Sequence, residues 1–197
     1  MKSIEIYSNT KALIFDLDGT LADTMPIHFE SWEKTAKIMG VDYSNDFLLS
    51  CAGMPSSKII NLLNEKNNHS IDPQEFSTIK EEFFAKDMHK INEIKAVCDL
   101  VYKYHNILPM AVGTGGKRNI AADTMKLLGL DKYIPILVSA DDVEKHKPEP
   151  ETFLKCASLM GIAPENCQVF EDAILGIQAA KSAGMMVTDV TPFYLNQ

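Results

Sequence analysis

Leu13-Ile14-Phe15-Asp16-Leu17-Asp18-Gly19-Thr20 is an apolar run that stops on two aspartates and a glycine. The apolar residues from Ala12 to Phe15 suit a strand buried on both faces, as in a parallel sheet. Side chains alternate along a strand with period two, so Asp16 and Asp18 fall on one side of the chain. Gly19 allows a sharp exit that other residues resist. In open α/β sheets ligands bind at the carboxyl ends of the strands, where this pair sits. Neighbouring carboxylates repel, so the pair calls for a cation, a shared proton or both. Asp18-Gly19 alone would also serve as a turn. The rest of the chain decides between these readings.

After Asp23-Thr24 the periodicity turns helical. Phe29, Trp32, Ala36 and Met39 share a face, Pro26 suits a first turn and Gly40 a stop. Ser56 or Ser57 is the expected cap of a second helix carrying Ile59, Ile60, Leu62 and Leu63. Asp72-Pro73 opens a third, with Phe76, Ile79, Phe83 and Met88 on one side. Residues 25–90 therefore read as an all-helical insert.

From Asn92 onward helix and strand alternate. Ile94, Val97, Val101 and Tyr104 mark a helix face; strands fall at 108–112, 136–138, 168–170 and 185–188. Helices are expected over 117–128, over 150–160 and from Asp172 to Ala183. This alternation implies a parallel sheet. The fold class is α/β: a doubly wound, Rossmann-like core from residues 1–24 and 91–197, with the helical cap of residues 25–90 inserted after the first strand. The insert stands above the carboxyl edge of the sheet, a lid position. Ile4, Ile6 and Tyr7 are expected to pack against the sheet.

A net charge of −8 argues against nucleic acid or anionic membranes as partners. Local lysines and backbone N–H groups must then outweigh that field if the substrate is an anion. Cys51, Cys98, Cys156 and Cys167 include no C-x-x-C pair and read as reduced, buried thiols. No signal-like segment precedes the first strand and no apolar run approaches a membrane span, so a cytoplasmic protein is the expectation.

The polar residues at the strand ends belong to one crevice: Asp16 and Asp18, then Thr114 in Gly113-Thr114-Gly115-Gly116, then Glu171 and Asp172. Lys147, before Pro148, enters from a neighbouring loop. Together they supply carboxylates for a cation, a hydroxyl with glycine N–H groups, and an ammonium, the parts phosphoryl transfer needs.

Asp16-Leu17-Asp18-Gly19-Thr20, Val112-Gly113-Thr114, Lys147-Pro148 and Phe170-Glu171-Asp172, in this order, resemble the four motifs of the haloacid dehalogenase (HAD) superfamily. Asp23-Thr24, His28, Trp32 and Lys147-Pro148-Glu149-Pro150 resemble its beta-phosphoglucomutase-like subfamily. The 109–115 and 169–173 segments are most similar to its fructose-1-phosphate and 6-phosphogluconate phosphatases. The resemblance implies a Mg²⁺-dependent phosphatase of a small phosphorylated sugar or polyol, acting as a monomer.

On that resemblance Asp16 is the nucleophile, and Asp18 the general acid and then base, protonated with help from the nearby Asp16. Asp16, the Asp18 carbonyl and Asp172 would hold Mg²⁺, with Glu171 direct or through water. Thr114, Gly115, Gly116 and Lys117 would meet the phosphate side, and Lys147 would neutralise the transferring group. Thr24, His28, Trp32 and Gly53 would meet substrate from the hinge and cap. The alternative readings are an ordinary helix cap for Thr114 and for Thr24, core packing for Trp32, and Lys145 in place of Lys147. A mutase of the same subfamily carries an arginine in its cap loop for a second phosphate; Gly53-Met54-Pro55-Ser56 has none, and the candidate substitute, Lys58, is expected on the following helix. Hydrolysis is therefore favoured over mutase chemistry, and both over a non-catalytic phosphate-binding module.

Overall fold

Ala12–Phe15 forms the first strand, β1, and all of its residues are buried. The protein is described by a computed structural model over residues 4–194. The other strands are β2 (Met110–Gly113), β3 (Ile136–Val138), β4 (Cys167–Glu171) and β5 (Met186–Asp189). All pair in parallel, in the order β3-β2-β1-β4-β5. Helices α1 (Met25–Met39), α2 (Asn45–Ser50), α3 (Ser56–Asn67) and α4 (Pro73–Asp87) follow β1. Then α5 (Lys95–Tyr104), α6 (Arg118–Leu127), α7 (Glu151–Met160) and α8 (Ile174–Ser182) alternate with the strands. The expected α/β architecture is present.

Strand alternation sorts the core into two layers. Leu13 and Phe15 face Val97, Cys98 and Val101 of α5 with Ala121 and Met125 of α6. Ala12 and Ile14 face Phe153, Cys156 and Ala157 of α7 with Ala179 and Ala180 of α8. The four cysteines are buried free thiols. Among the described residues no helix is long and apolar enough to cross a membrane.

The helices after β1 build their own apolar cluster from Trp32, Ala36, Leu48, Ile59, Ile60, Leu63 and Phe76. Gly40 ends α1 with φ 65°, and Asp72 caps α4 by accepting from the Gln74 and Glu75 N–H groups. The short α2, capped by Ser44, is too brief to show a helical period and was not foreseen. Neither Ser56 nor Ser57 caps α3: Pro55 holds that place, and both serines lie inside the helix. The face of α4 is also rotated from the expected one. Phe76, Ser77, Lys80 and Phe84 are buried, whereas Ile79 and Phe83 are half-buried. Hydropathy alone would not turn a lysine inward; the site beneath it does.

Two linkers join this helical region to the sheet. They hold each other through Asp23 N–H to Asn92 O at 2.9 Å and Ile94 N–H to Leu21 O at 2.9 Å. At the far edge Ile4 and Ile6 pack on the core, while the Tyr7 ring stays exposed. The buried Gln168 ties this segment down. Its Oε1 accepts from Tyr7 N–H (3.0 Å) and Thr10 Oγ1 (2.9 Å), and its Nε2 donates to Glu5 O (3.0 Å) and Thr188 Oγ1 (2.9 Å). Gln168→Ala strands these partners, and a loss of about 2–3 kcal/mol is expected in urea unfolding, with the site chemistry unchanged.

Candidate active site

The strand order reverses between β1 and β4, and these neighbours pair with Phe15 opposite Phe170. Asp16 and Glu171 therefore leave adjacent strands side by side, at the switch point where such sheets bind ligands. On the other flank β2 delivers Thr114 just beyond Gly113.

Lys147 reaches between these ends and is wholly buried. Its Nζ donates to Asp16 Oδ1 at 2.6 Å and Glu171 Oε1 at 2.8 Å, and sits 4.6 Å from the Phe153 ring centroid. Burial disfavours the ammonium, but the two carboxylates outweigh it and hold Lys147 above the usual lysine range. Lys145 is exposed, and its backbone N–H bonds Glu151 Oε2. The choice between the two lysines is thus decided by burial.

Asp172 lies alongside. Its Oδ1 accepts from Thr20 Oγ1 at 2.8 Å. Gly19, at φ 84°, is pressed so close that a Cβ there would collide with Asp172 Oδ2. Gly176 is equally constrained, since its Cβ would strike Glu171 Oε1. The Tyr194 hydroxyl, from the last described residue, donates to Gly19 O at 2.6 Å. Carboxylate oxygens of Asp16, Glu171 and Asp172 lie within 4.8 Å of one another. Burial, then the neighbouring carboxylates, lift Asp16 well above the carboxylate range against the pull of Lys147. Burial and Glu171 push Asp172 up to about 7. One ammonium does not neutralise three carboxylates, and this surplus of oxygen ligands and negative charge fits a hard divalent cation.

Asp18 sits in different company. Thr24 Oγ1 donates to Asp18 Oδ1 at 2.8 Å, and His28 Nε2 lies 3.1 Å from the same oxygen. His28 stacks on Phe84 at 4.4 Å, and Lys80 Nζ is 2.7 Å from His28 Nδ1. With Lys80 donating to Nδ1, His28 carries its proton on Nε2 and donates it to Asp18. Burial would raise Asp18, yet His28, Thr24 and Lys80 together hold it down at about 2. In the free protein these donors favour the ionised form of Asp18, opposite to the direction expected from the nearby Asp16. Burial, with the Lys80 charge, lowers His28, while burial lowers Lys80 itself to about 8. Lys80 was missed in the sequence because a lysine in a helix ordinarily marks a solvated face.

Thr114 is buried, with Oγ1 3.4 Å from Asp18 Oδ2 and accepting from Gly116 N–H at 3.0 Å. It is no helix cap, because α6 begins only at Arg118 with Lys117 as N-cap. Thr24 precedes α1 but makes no cap bond, its hydroxyl being spent on Asp18. Trp32 is both core and wall: it packs 4.6 Å from Phe76 and 5.8 Å from Tyr43, and it also lines the cavity. Lys58, the candidate substitute for the cap-loop arginine of a mutase, lies on α3 and is not among the residues lining the cavity.

That cavity lies between the helical region and the sheet and is lined by Asp16, Asp18, His28, Lys80 and Thr114 among others. At one seam of it Gly53 lies against Gly115. Gly53, at φ 92°, rests on the Lys147 side chain, and a Cβ on Gly115 would run into Gly53 O. Lys117 Nζ meets Glu81 Oε1 of α4 at 3.0 Å. All the candidate residues named from the sequence thus meet around one cavity or brace its floor.

A model of the family described as haloacid dehalogenase-like hydrolase matches residues 13–190. The chain belongs to the haloacid dehalogenase-like hydrolase family. It is 40% identical over 185 residues to the fructose-1-phosphate phosphatase YqaB of Escherichia coli, covering 94% of this chain and 98% of that protein. It is 29% identical over 179 residues to a phosphorylated carbohydrates phosphatase of Thermotoga maritima, covering 89% and 82% respectively. Among solved structures, a beta-phosphoglucomutase from Clostridium difficile superposes with TM-score 0.80 at 25% identity, over 91% of this chain and 84% of that one.

In this HAD-like hydrolase the tight seam separates two glycines that look equivalent in sequence. Gly115→Ala forces Gly53 and its loop away, whereas a Cβ on Gly116 meets only Thr114 Oγ1 at 3.4 Å and Asp18 Oδ2 at 3.5 Å. Displacement of about 1 Å at a reacting site costs on the order of 100-fold. Gly115→Ala is expected to lower kcat/KM on that order and to unfold at a lower temperature, whereas Gly116→Ala loses less than about tenfold and keeps the wild-type unfolding temperature.

Proposed function

We propose that this chain is a Mg²⁺-dependent phosphomonoesterase of a small phosphorylated sugar or polyol, working through an aspartyl-phosphate on Asp16. The observation that carries the reading is Asp16 held by the buried Lys147 at 2.6 Å, one strand from Glu171 and Asp172. Family membership and the phosphatase names of its relatives support it.

In this reading Asp16 and Asp172 hold the metal, with the Asp18 carbonyl. Glu171 stands behind them, since its oxygens already serve Lys147 and the Ala173 N–H. Bound Mg²⁺ supplies charge stabilisation to the phosphoryl oxygens. Asp16 Oδ attacks phosphorus while the bond to the sugar oxygen breaks, splitting one hydrolysis into two easier steps. Lys147 keeps Asp16 in line and offsets charge on the transferring group. Thr114 Oγ1 and the Gly115 N–H face the phosphate side.

Asp18 must hand a proton to the departing oxygen, yet it is ionised in the free protein. The chain Lys80–His28–Asp18 supplies it: His28 passes Nε2–H to Asp18 and takes one from Lys80 on Nδ1. The lowered value of about 8 at Lys80 makes that release less uphill. In the second half water attacks phosphorus as the Asp16 Oδ–P bond breaks; Asp18, ionised again, accepts the water's proton, which returns through His28 to Lys80. Residues 25–90 act as a cap that closes over this chemistry and keeps bulk water out.

A mutase would grip a second phosphate, and neither an arginine in Gly53-Met54-Pro55-Ser56 nor Lys58 at the cavity is present for it. The test is phosphate release from a panel of sugar and polyol phosphates, with Mg²⁺ and with EDTA. A control of beta-glucose 1-phosphate plus its bisphosphate primer reads mutase activity. Metal-dependent release from one or two substrates is expected, with EDTA and Asp16→Asn each abolishing it while the fold persists. Conversion to glucose 6-phosphate without release would replace the reading by the mutase, and activity in Asp16→Asn would remove the nucleophile.

A further inference from the structure

In the reading above the Asp18 carbonyl is a main-chain ligand, with no side-chain torsion by which to adjust. Its direction is that of the Asp18–Gly19 peptide plane. The Gly19 N–H donates to Ala22 O at 2.8 Å. This peptide is trans, so the Asp18 carbonyl points opposite to that N–H, and any swing of the plane turns both. The next backbone bonds of the turn are also short-range: the N–H groups of Thr20, Leu21 and Ala22 all go to Leu17 O. Gly19, at φ 84° and without a Cβ, leaves the planes on either side of it free to swing.

The Gly19 carbonyl, by contrast, is held from 175 residues away, by the Tyr194 hydroxyl at 2.6 Å. The path of the chain explains this reach. At the end of β5 Asp189 lies opposite Glu171, and Val190 N–H donates to Glu171 O at 2.9 Å. Asp189 Oδ1 then accepts from the N–H (2.9 Å) and hydroxyl (2.7 Å) of Thr191, which opens a single 3₁₀ turn over Thr191–Phe193. Val190 is wholly buried in the apolar layer that holds Leu17 and Leu21, and Tyr194 packs on the same layer. The segment thus passes the end of β4 and meets the loop after β1. Burial first, then Asp172, Asp189, Asp23 and Asp16, push the hydroxyl's ionisation above the ordinary tyrosine range, so it stays a donor. Packing alone would be met by a phenylalanine; the hydroxyl serves the Gly19 carbonyl.

Mg²⁺ asks for near-octahedral oxygens at about 2.0–2.1 Å, so a ligand free to swing binds it poorly. Asp172 is steadied by Thr20 Oγ1 at 2.8 Å and Asp16 by Lys147 at 2.6 Å. We propose that Tyr194 is a positioning residue for the divalent-cation site: its hydroxyl holds the Gly19 peptide so that the Asp18 carbonyl keeps its direction as a ligand beside Asp16 and Asp172. The inference rests on the metal-dependent phosphatase reading and adds to it a residue outside all four motifs.

The experiment titrates Mg²⁺ into the substrate-free wild type and Tyr194→Phe and reads the rise in unfolding temperature. Tyr194→Phe keeps the ring and removes one hydrogen bond, so its Mg²⁺ midpoint should lie about five- to tenfold higher. The Mg²⁺ dependence of phosphate release should shift by the same factor, and excess Mg²⁺ should recover most of the lost rate. A Tyr194→Phe that unfolds earlier in EDTA but keeps the wild-type midpoint has lost only a structural bond, and that result overturns the proposal. A second measurement needs no variant. Coupling is reciprocal, so bound Mg²⁺ should slow amide hydrogen exchange in residues 190–194 more than in α3 of the helical region. Equal slowing in both segments overturns the proposal, whether or not Tyr194→Phe folds well. A wild type with no Mg²⁺-dependent rise and no Mg²⁺-dependent phosphate release overturns the metal reading and this inference with it. A wild type that shows both, beside an unmoved midpoint in Tyr194→Phe, overturns this inference alone.

Discussion

The site depends on one buried ammonium. Lys147 Nζ lies between Asp16 and Glu171, at 2.6 and 2.8 Å, with no exposure to solvent. Ionised groups without partners cannot be buried at this depth without a large desolvation cost, so lysine and carboxylates require each other. Their partnership is incomplete by design of the strand order. Asp172 brings a third carboxylate to the same place, and the raised Asp16 and Asp172 express the charge that remains. The floor therefore gathers three carboxylates whose oxygens could hold a metal ion.

Around this floor, backbone must approach closely. Gly19 and Gly176 leave room for the Asp172 and Glu171 carboxylates, and the Tyr194 hydroxyl ties down the Gly19 carbonyl. Asp18 is only two residues from Asp16 yet is electrostatically its opposite. Its neighbours are donors, Thr24, His28 and Lys80, rather than carboxylates. Environment, not residue type, separates a group that resists ionisation from one that favours it.

The helical region contributes more than cover. Consecutive residues of α4 point to different tasks: Lys80 turns down to His28, and Glu81 reaches across to Lys117. One helix thereby touches both the surroundings of Asp18 and the loop that follows β2.

Much of this was legible before the structure. The apolar run ending in Asp16 and Asp18, the helix–strand alternation and the order of the four motifs determined the α/β core and the floor residues, because buried strands and their polar ends are local in sequence. The helical insert was legible as well, from its 3.6-residue period. Helix rotation was not: the apolar pattern favoured Ile79 and Phe83, and only tertiary packing turned Lys80 inward. Nor were the protonation states, since the partners of Asp18 come from α1 and α4, far along the chain from the motif. The choice of Lys147 over Lys145, the seam between Gly53 and Gly115, and the Glu81–Lys117 pair were likewise decided by contacts between distant segments. Sequence carries the period and the chemistry of residues; charge state and close approach arise only when the fold sets those residues in a shared, water-poor space.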